Sequence, residues 1–157
     1  MSHFLGNHQN KLDAKGRVSI PASFRNALKA NSKDGSAAVG VPLVLRPSHK
    51  YACIEGWPEK EFAGLARPLQ QYDDYSDEHD DFAITLYADA FELETDKEGR
   101  IVLPAELANH AGLSESVLFM GVGKRFEIWE PEAAARRRAL ARERTANARL
   151  TLRMTEP

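Results

Sequence analysis

DAKGRVSIPASFR, residues Asp13 to Arg25, returns further along the chain as DKEGRIVLPAELA, residues Asp96 to Ala108. Asp13 maps onto Asp96, Gly16 onto Gly99, Arg17 onto Arg100 and Pro21 onto Pro104, all at one offset of 83. That offset exceeds the ~20–50-residue periods of solenoid arrays, so the pattern is a duplication. A second echo follows each copy: KYACIEGWP and KRFEIWEP are short strand-like runs near Pro58 and Pro131.

Within each copy the local chemistry is consistent. Asp followed three residues later by Gly is the signature of a β-turn, with Asp first and Gly last. RVSI and RIVL are apolar and β-branched and predict strands. Each run ends at a Pro, which suits a helix start because the first N–H groups of a helix lack partners. Phe24, Ala27 and Leu28 then form a one-sided apolar stripe, as do Leu107 and Ala111, with Gly112 placed to end the second helix. PLVLRP with YACIE, and SVLFMGV with RFEIWE, complete each copy as a hairpin.

The organisation that follows is a first module over 1–58, a helical linker over 59–91, a second module over 92–131 and a basic C-terminal helix and tail over 132–157. In the linker, Phe62, Leu65, Ala66 and Leu69 predict one amphipathic helix that Pro68 should stop or kink. A second helix is expected after Ser76, with Phe82, Leu86 and Ala90 aligned and acids in its first turn, where the helix dipole favours them. Ala, Arg and Glu after Pro131 favour a helix, supported by Glu132 and Arg136 at i, i+4, with a frayed tail past Leu150.

With 157 residues and 43% hydrophobic content the chain can build a real core. A piece of ~60 residues alone would be marginal, so two small modules must lean on each other or on other chains. Cys53 is the one cysteine, which rules out an internal disulfide and fits a reducing interior. It lies in an apolar run, with an inert thiol the simpler reading and a reactive one the alternative. The start does not read as a signal peptide, and no apolar run approaches the ~20 residues that span a bilayer, so a cytoplasmic location is expected.

The net charge of −2 hides an uneven distribution. Through Lys33 the chain holds six lysines and arginines against Asp13 alone. The stretch around DDYSDEHDD is strongly acidic, and RRRALARER is basic again. Partners feel such local fields rather than the sum. The acidic run lacks the Gly and closing Glu of an EF-hand and reads as a solvated helix start, one that would repel DNA and mark the face turned away from it. The basic run reads as a solvated helix or as an auxiliary DNA or ring contact. The five histidines lack metal-ligand spacing, GVGKR is too short for a phosphate loop, and no catalytic motif is present, so neither enzyme, metal nor cofactor is expected.

Two readings of the repeated Asp-x-x-Gly-Arg remain open. In one, Asp and Arg pair across the turn and merely fix a hairpin. In the other, the turn presents an Arg whose planar fork can meet a guanine edge or a phosphate with two hydrogen bonds. The readings are compatible, since a carboxylate can orient an Arg that also contacts DNA. Lys15 would add a phosphate contact that sets register.

The tandem DAKGRVSIP and DKEGRIVLP, with HAGL after the second and the FEIW run, resemble the paired cassettes of the MraZ family of bacterial transcriptional regulators, within the wider AbrB-like, swapped-hairpin class. The resemblance runs from Phe4 to about Glu132. It implies an α+β fold of two small β-barrel-like (double-psi/swapped-hairpin) modules packed as a pseudo-dimer, with linker helices and a C-terminal helix. It further implies a nucleoid-associated repressor whose subunits form a homo-oligomeric ring, an octamer or similar. That ring would bind short direct repeats in double-stranded DNA upstream of its own division and cell-wall operon, with no small-molecule substrate and no membrane partner. Arg17 and Arg100 match the cassette arginine, Lys15 the first-module lysine, and Arg25 a basic position of AbrB-like modules. Asp13, Gly16, Asp96 and Gly99 would orient the turns. The second copy departs from the first: Glu98 stands where Lys15 does, with Lys97 one residue earlier, and Ala108 replaces Arg25. The first module is therefore expected to dominate phosphate contact. The competing function is an oligomeric scaffold whose rings bind another protein, with DNA binding secondary.

Overall fold

The duplication becomes an internal two-fold axis. In the computed structural model, which describes residues 3–32 and 40–149, the cassette strands β2 (Arg17–Ser19) and β6 (Arg100–Val102) pair antiparallel as a ribbon of their own. Their register sets Val18 opposite Ile101, its own repeat equivalent, with Arg17 opposite Val102 and Ser19 opposite Arg100. Flanking hydrogen bonds keep the symmetry: Ile20 N–H donates to Gly99 O at 3.0 Å and Leu103 N–H to Gly16 O at 2.8 Å.

The other strands are β1 (Asn7–Lys11), β3 (Pro42–Pro47), β4 (Ile54–Trp57), β5 (Phe91–Glu94), β7 (Ser116–Gly121) and β8 (Phe126–Trp129). They form one antiparallel sheet in the order β1-β7-β8-β4-β3-β5. The halves exchange first strands: β1 pairs with β7 of the second half, and β5 pairs with β3 of the first. The two hairpins meet at β4 and β8, where Glu55 lies opposite Glu127. Neither half completes this sheet by itself, which answers the weakness of a module too small to bury its own core. The result is the α+β, swapped-hairpin architecture that the family resemblance implies.

Side chains alternate between the two faces of a sheet. One face presents Leu43, Leu45, Ile54, Phe119 and Phe126 to the ribbon and to helices α1 (Ala22–Ala30) and, later in the chain, α5 (Ala105–His110). The predicted stripe of Phe24, Ala27 and Leu28 is buried here. Phe24 meets Phe4 edge-on and Phe126 at a tilt, each at 5.3 Å between ring centres. Removing such a ring costs on the order of 3–5 kcal/mol. Gly56 makes room for the cluster, because a methyl group there would lie 2.3 Å from the Phe126 ring. Pro21 and Pro104 immediately precede α1 and α5, and Gly112, at φ +64°, follows the end of α5.

The opposite face carries the helices outside the cassettes. Met120 and Trp129 pack with Cys53 and Ala134 beneath α6 (Pro131–Ala148). α2 (Glu59–Ala63) lies on β3, the counterpart of β7 under α6. Buried Arg46 donates to Glu55 at 2.6 Å and to Thr85 O at 3.0 Å, tying the linker to this face.

Two linker expectations are corrected. The single helix expected from Pro58 to Leu69 is two, α2 and α3 (Ala66–Leu69), and the break falls at Gly64 and Leu65 rather than Pro68. Tight i→i+3 bonds, Gly64 N–H to Glu61 O and Leu65 N–H to Phe62 O, turn the chain there. Pro68 sits in the first turn of α3, where its missing N–H has no acceptor to lose. Of the predicted stripe, only Leu69 is buried. The second linker helix, α4 (Asp77–Ala83), starts at Ser76 as expected, whose Oγ accepts His79 N–H at 3.2 Å. It then widens into a π-helical turn over Ile84–Ala88, so Leu86 is buried while Phe82 stays half-exposed and Ala90 lies beyond the helix.

At α6 the expected Glu132–Arg136 pair does not form an ion pair. Glu130 engages the helix start instead, accepting Glu132 N–H at 3.0 Å and Ala133 N–H at 2.9 Å. Those two N–H groups hold the Glu130 carboxyl below its usual value. Lys33 and the tail past Leu150 lie outside the described residues.

Candidate nucleic-acid interface

Each cassette turn is organised around one carboxylate. Asp13 Oδ1 accepts the N–H groups of Lys15 at 2.9 Å and Arg17 at 2.8 Å, and its Oδ2 accepts Arg17 Nε at 2.8 Å. Asp96 repeats the set with Glu98 N–H at 2.8 Å, Arg100 N–H at 2.9 Å and Arg100 Nε at 3.0 Å. Gly16 and Gly99 both sit at φ +80°, a left-handed conformation that a side chain would strain. Both carboxyls lie below their ordinary value, first because of the backbone N–H of the cassette arginine.

The Asp–Arg pair therefore exists and also aims the arginine. A carboxylate that takes Nε leaves the Nη edge of the guanidinium to point onward. Because β2 and β6 pair with each other, Arg17 and Arg100 project from a single two-stranded ribbon, with Val18 and Ile101 turned into the core. Lys15 and Lys97 are exposed at the two turns.

The copies differ in what surrounds the arginines. Among the described residues the Nη groups of Arg17 have no partner, whereas Arg100 Nη2 lies 3.3 Å from Glu98 Oε2. Arg25 is not beside Arg17: its Nη1 donates to Ile20 O and its guanidinium covers Gly99 of the second turn. Where the repeat places Ala108 instead, a cleft of about 370 Å³ opens beside Asp13, Lys15 and Gly16. Asn10, which the motif does not include, donates from Nδ2 to Ser19 O at 2.7 Å and ties β1 to the ribbon. Its repeat equivalent is Leu93, so no echo in the sequence could have marked it.

The other charged stretches lie elsewhere. α6 and the acidic linker occupy the sheet face opposite the ribbon. Arg137 of α6 stands 4.4 Å over the Tyr51 ring, which fixes the base of the helix. Burial pushes the Cys53 thiol up to about 12. Among the described residues no cluster of His, Cys, Asp and Glu could hold a metal ion, and no helix is long and apolar enough to cross a membrane.

Comparison with known proteins places this geometry in context. The family model described as "MraZ protein, putative antitoxin-like" matches residues 3–83 and 86–153. The chain is 60% identical to the transcriptional regulator MraZ of Gluconacetobacter diazotrophicus over 145 residues, 92% of this chain and 89% of that protein. It is 58% identical to the protein of the same name from Gluconobacter oxydans, covering 92% and 85%. Against that of Rickettsia bellii the identity is 36% over 155 residues, 99% of this chain and 97% of the relative.

Proposed function

The chain belongs to the MraZ family, and on that premise we propose that it is a sequence-specific, DNA-binding transcriptional regulator that acts as an oligomer. The observation that carries this reading is the ribbon. Two arginines, each fixed by a carboxylate at Nε, project from one narrow pair of strands, Arg17 with both Nη groups unpartnered among the described residues and Arg100 with one Nη group beside Glu98. A two-stranded ribbon fits the major groove of B-DNA, and the guanidinium fork matches the O6 and N7 acceptors of guanine. Lys15 and Lys97 at the turns would contact phosphates and set register. With Glu98 beside Arg100, the first cassette is the stronger contact.

The targets we propose are short direct repeats upstream of the division and cell-wall gene cluster, bound with repression as the outcome. Repeated boxes require repeated binding units, and the charge layout supports assembly. Dyad-related positions on the far sheet face carry opposite charge: the linker over 59–91 holds nine acids against Lys60 and Arg67, while α6 carries five arginines against two glutamates. An acidic end and a basic end on one face favour head-to-tail contacts, which close into rings when the rotation allows. Several weak cassettes on one particle then reinforce one another through effective concentration.

A gel shift with the chain's own upstream DNA tests the reading. Arg17→Glu should abolish the shift while leaving thermal stability near that of a surface change. Binding should weaken steeply with salt as phosphate contacts release counterions. A shift that survives Arg17→Glu would overturn it in favour of the scaffold reading, for which the half-exposed Phe82, Ile84 and Tyr87 of the linker offer a protein-binding surface.

A further inference from the structure

We propose that Arg25 is a positioning residue for the second cassette, reaching across the internal dyad to hold the turn that carries Arg100, and that Ala108 leaves the first cassette's turn free to adapt to its ligand. The inference rests on the DNA-binding reading for its consequence but on separate geometry for its substance.

Internal symmetry supplies the comparison. Arg25 belongs to α1 of the first half, yet its guanidinium lies on the Gly99 turn of the second. A methyl group at Gly99 would stand 2.7 Å from both Arg25 Cζ and Nη1, so the guanidinium rests directly against that backbone. Its Nη1 is anchored to Ile20 O, and Ile20 N–H in turn donates to Gly99 O at 3.0 Å. Arg25, Ile20 and Gly99 thus close a small circuit between the halves. The turn beneath is buried at Gly99.

The twin position lacks all of this except its shape. Leu103 N–H still donates to Gly16 O, and Leu103 O, counterpart of the acceptor used by Arg25, forms the wall 3.4 Å from a methyl group placed at Gly16. Ala108 has only a methyl group, too short to lie there. The result is the open cleft beside Asp13, Lys15 and Gly16. Arg100 is further restrained by Glu98, whereas Arg17 has only Asp13. Arg100 is therefore held by two carboxylates on a turn that Arg25 covers, and Arg17 by one carboxylate on an uncovered turn. The second cassette is rigid and pre-set, and the first can shift its turn as it engages DNA. Pre-setting lowers the ordering cost of binding at Arg100. Freedom at the first turn lets Arg17 and Lys15 follow small differences between boxes.

The test compares the full-length wild-type chain with Arg25→Ala, Arg25→Lys and Ala108→Arg. Amide hydrogen exchange reads the turns without DNA. Arg25→Ala should speed exchange at Gly99 and Arg100 to the level seen at Gly16 and Arg17, leaving the first turn unchanged. Ala108→Arg should slow exchange at Gly16 and Arg17 alone. Exchange that rises equally at both turns, or at neither, overturns the proposal. Binding to a duplex selected from a random pool by the wild-type chain supplies the second readout. Arg25→Ala and Arg100→Ala should each weaken binding, roughly 10-fold for a lost bidentate contact. The double variant should be no weaker than Arg100→Ala alone, because Arg25 acts through Arg100. Additive losses would make Arg25 a direct DNA contact and sink the positioning role. Arg25→Lys, which cannot lie flat on Gly99, should behave as Arg25→Ala; full rescue by Lys would point to charge alone and equally overturn it. If the wild-type chain selects no duplex, the DNA reading fails while the exchange result still decides the fate of Arg25.

Discussion

The two cassettes share a backbone and differ in their freedom. Both hold an aspartate that gathers two N–H groups and one Nε, and both bend at a glycine with φ +80°. Around the second, however, Arg25 covers the glycine and Glu98 takes an Nη group, while the first opens onto solvent. Duplicated modules begin as equals, and a change at two positions, Glu98 and Ala108, is enough to give them different mechanical settings. The conserved backbone hydrogen bonds keep the dyad intact while side chains divide the labour.

Replacing the arginines breaks the comparison most directly. Arg17→Ala should reduce affinity for operator DNA by roughly 10- to 100-fold, as expected for loss of a bidentate base contact. Arg100→Ala should cost less, because Glu98 already competes for its guanidinium. Gel-shift titrations at one fixed salt concentration decide this, and equal losses would mean that the asymmetry has no consequence for binding.

The glycines sharpen it next, through stability. Gly16→Ala and Gly99→Ala both force a side chain into the left-handed region, at about 1–2 kcal/mol each. Only Gly99→Ala also meets Arg25, at 2.7 Å, against a nearest contact of 3.4 Å at Gly16. Thermal unfolding should therefore show a larger fall in Tm for Gly99→Ala. The reverse order would contradict the clamp.

A smaller effect is expected from Glu98→Lys, which gives the second copy the first copy's pattern. It should release Arg100 Nη2, tighten DNA binding a few-fold and steepen the salt dependence by roughly one phosphate contact. The last expectation is a shared insensitivity. Asp13 and Asp96 titrate below the ordinary value of 3.8 in the folded chain. A depressed carboxylate contributes stability above its unfolded pKa and loses it as pH falls through the folded one. Both turns should thus stay intact from neutral pH down to about 4, and carboxyl NMR titrations should place both midpoints below 3.8. A midpoint near 5 at either aspartate would mean that its N–H contacts are absent in solution.

Much of the site was legible because its chemistry is local. Asp-x-x-Gly-Arg encodes a turn whose five residues satisfy one another, and the stripe of Phe24, Ala27 and Leu28 announces a buried helix face. The linker was less legible. Its apolar spacing fits one helix, but nothing in that spacing registers that Gly64 lets the chain turn or that Leu86 would be drawn inward through a π-helical turn. The motif position of Arg25 matches a basic DNA-binding position of AbrB-like modules, and nothing in that match registers that its guanidinium lies on a turn from the other half of the chain.

By itself, then, the sequence determined the duplication, the two turns, the strand and helix that follow each, and the aspartate that partners each arginine, because all of these arise from interactions between residues a few positions apart. Only the tertiary structure decided which strands exchange, that Val18 meets Ile101, that α6 and the acidic linker share the face away from the ribbon, and that Arg25 crosses to Gly99. Those features depend on pairing register between distant segments, and register is chosen by how the whole apolar face of the sheet is buried rather than by any neighbour in the chain.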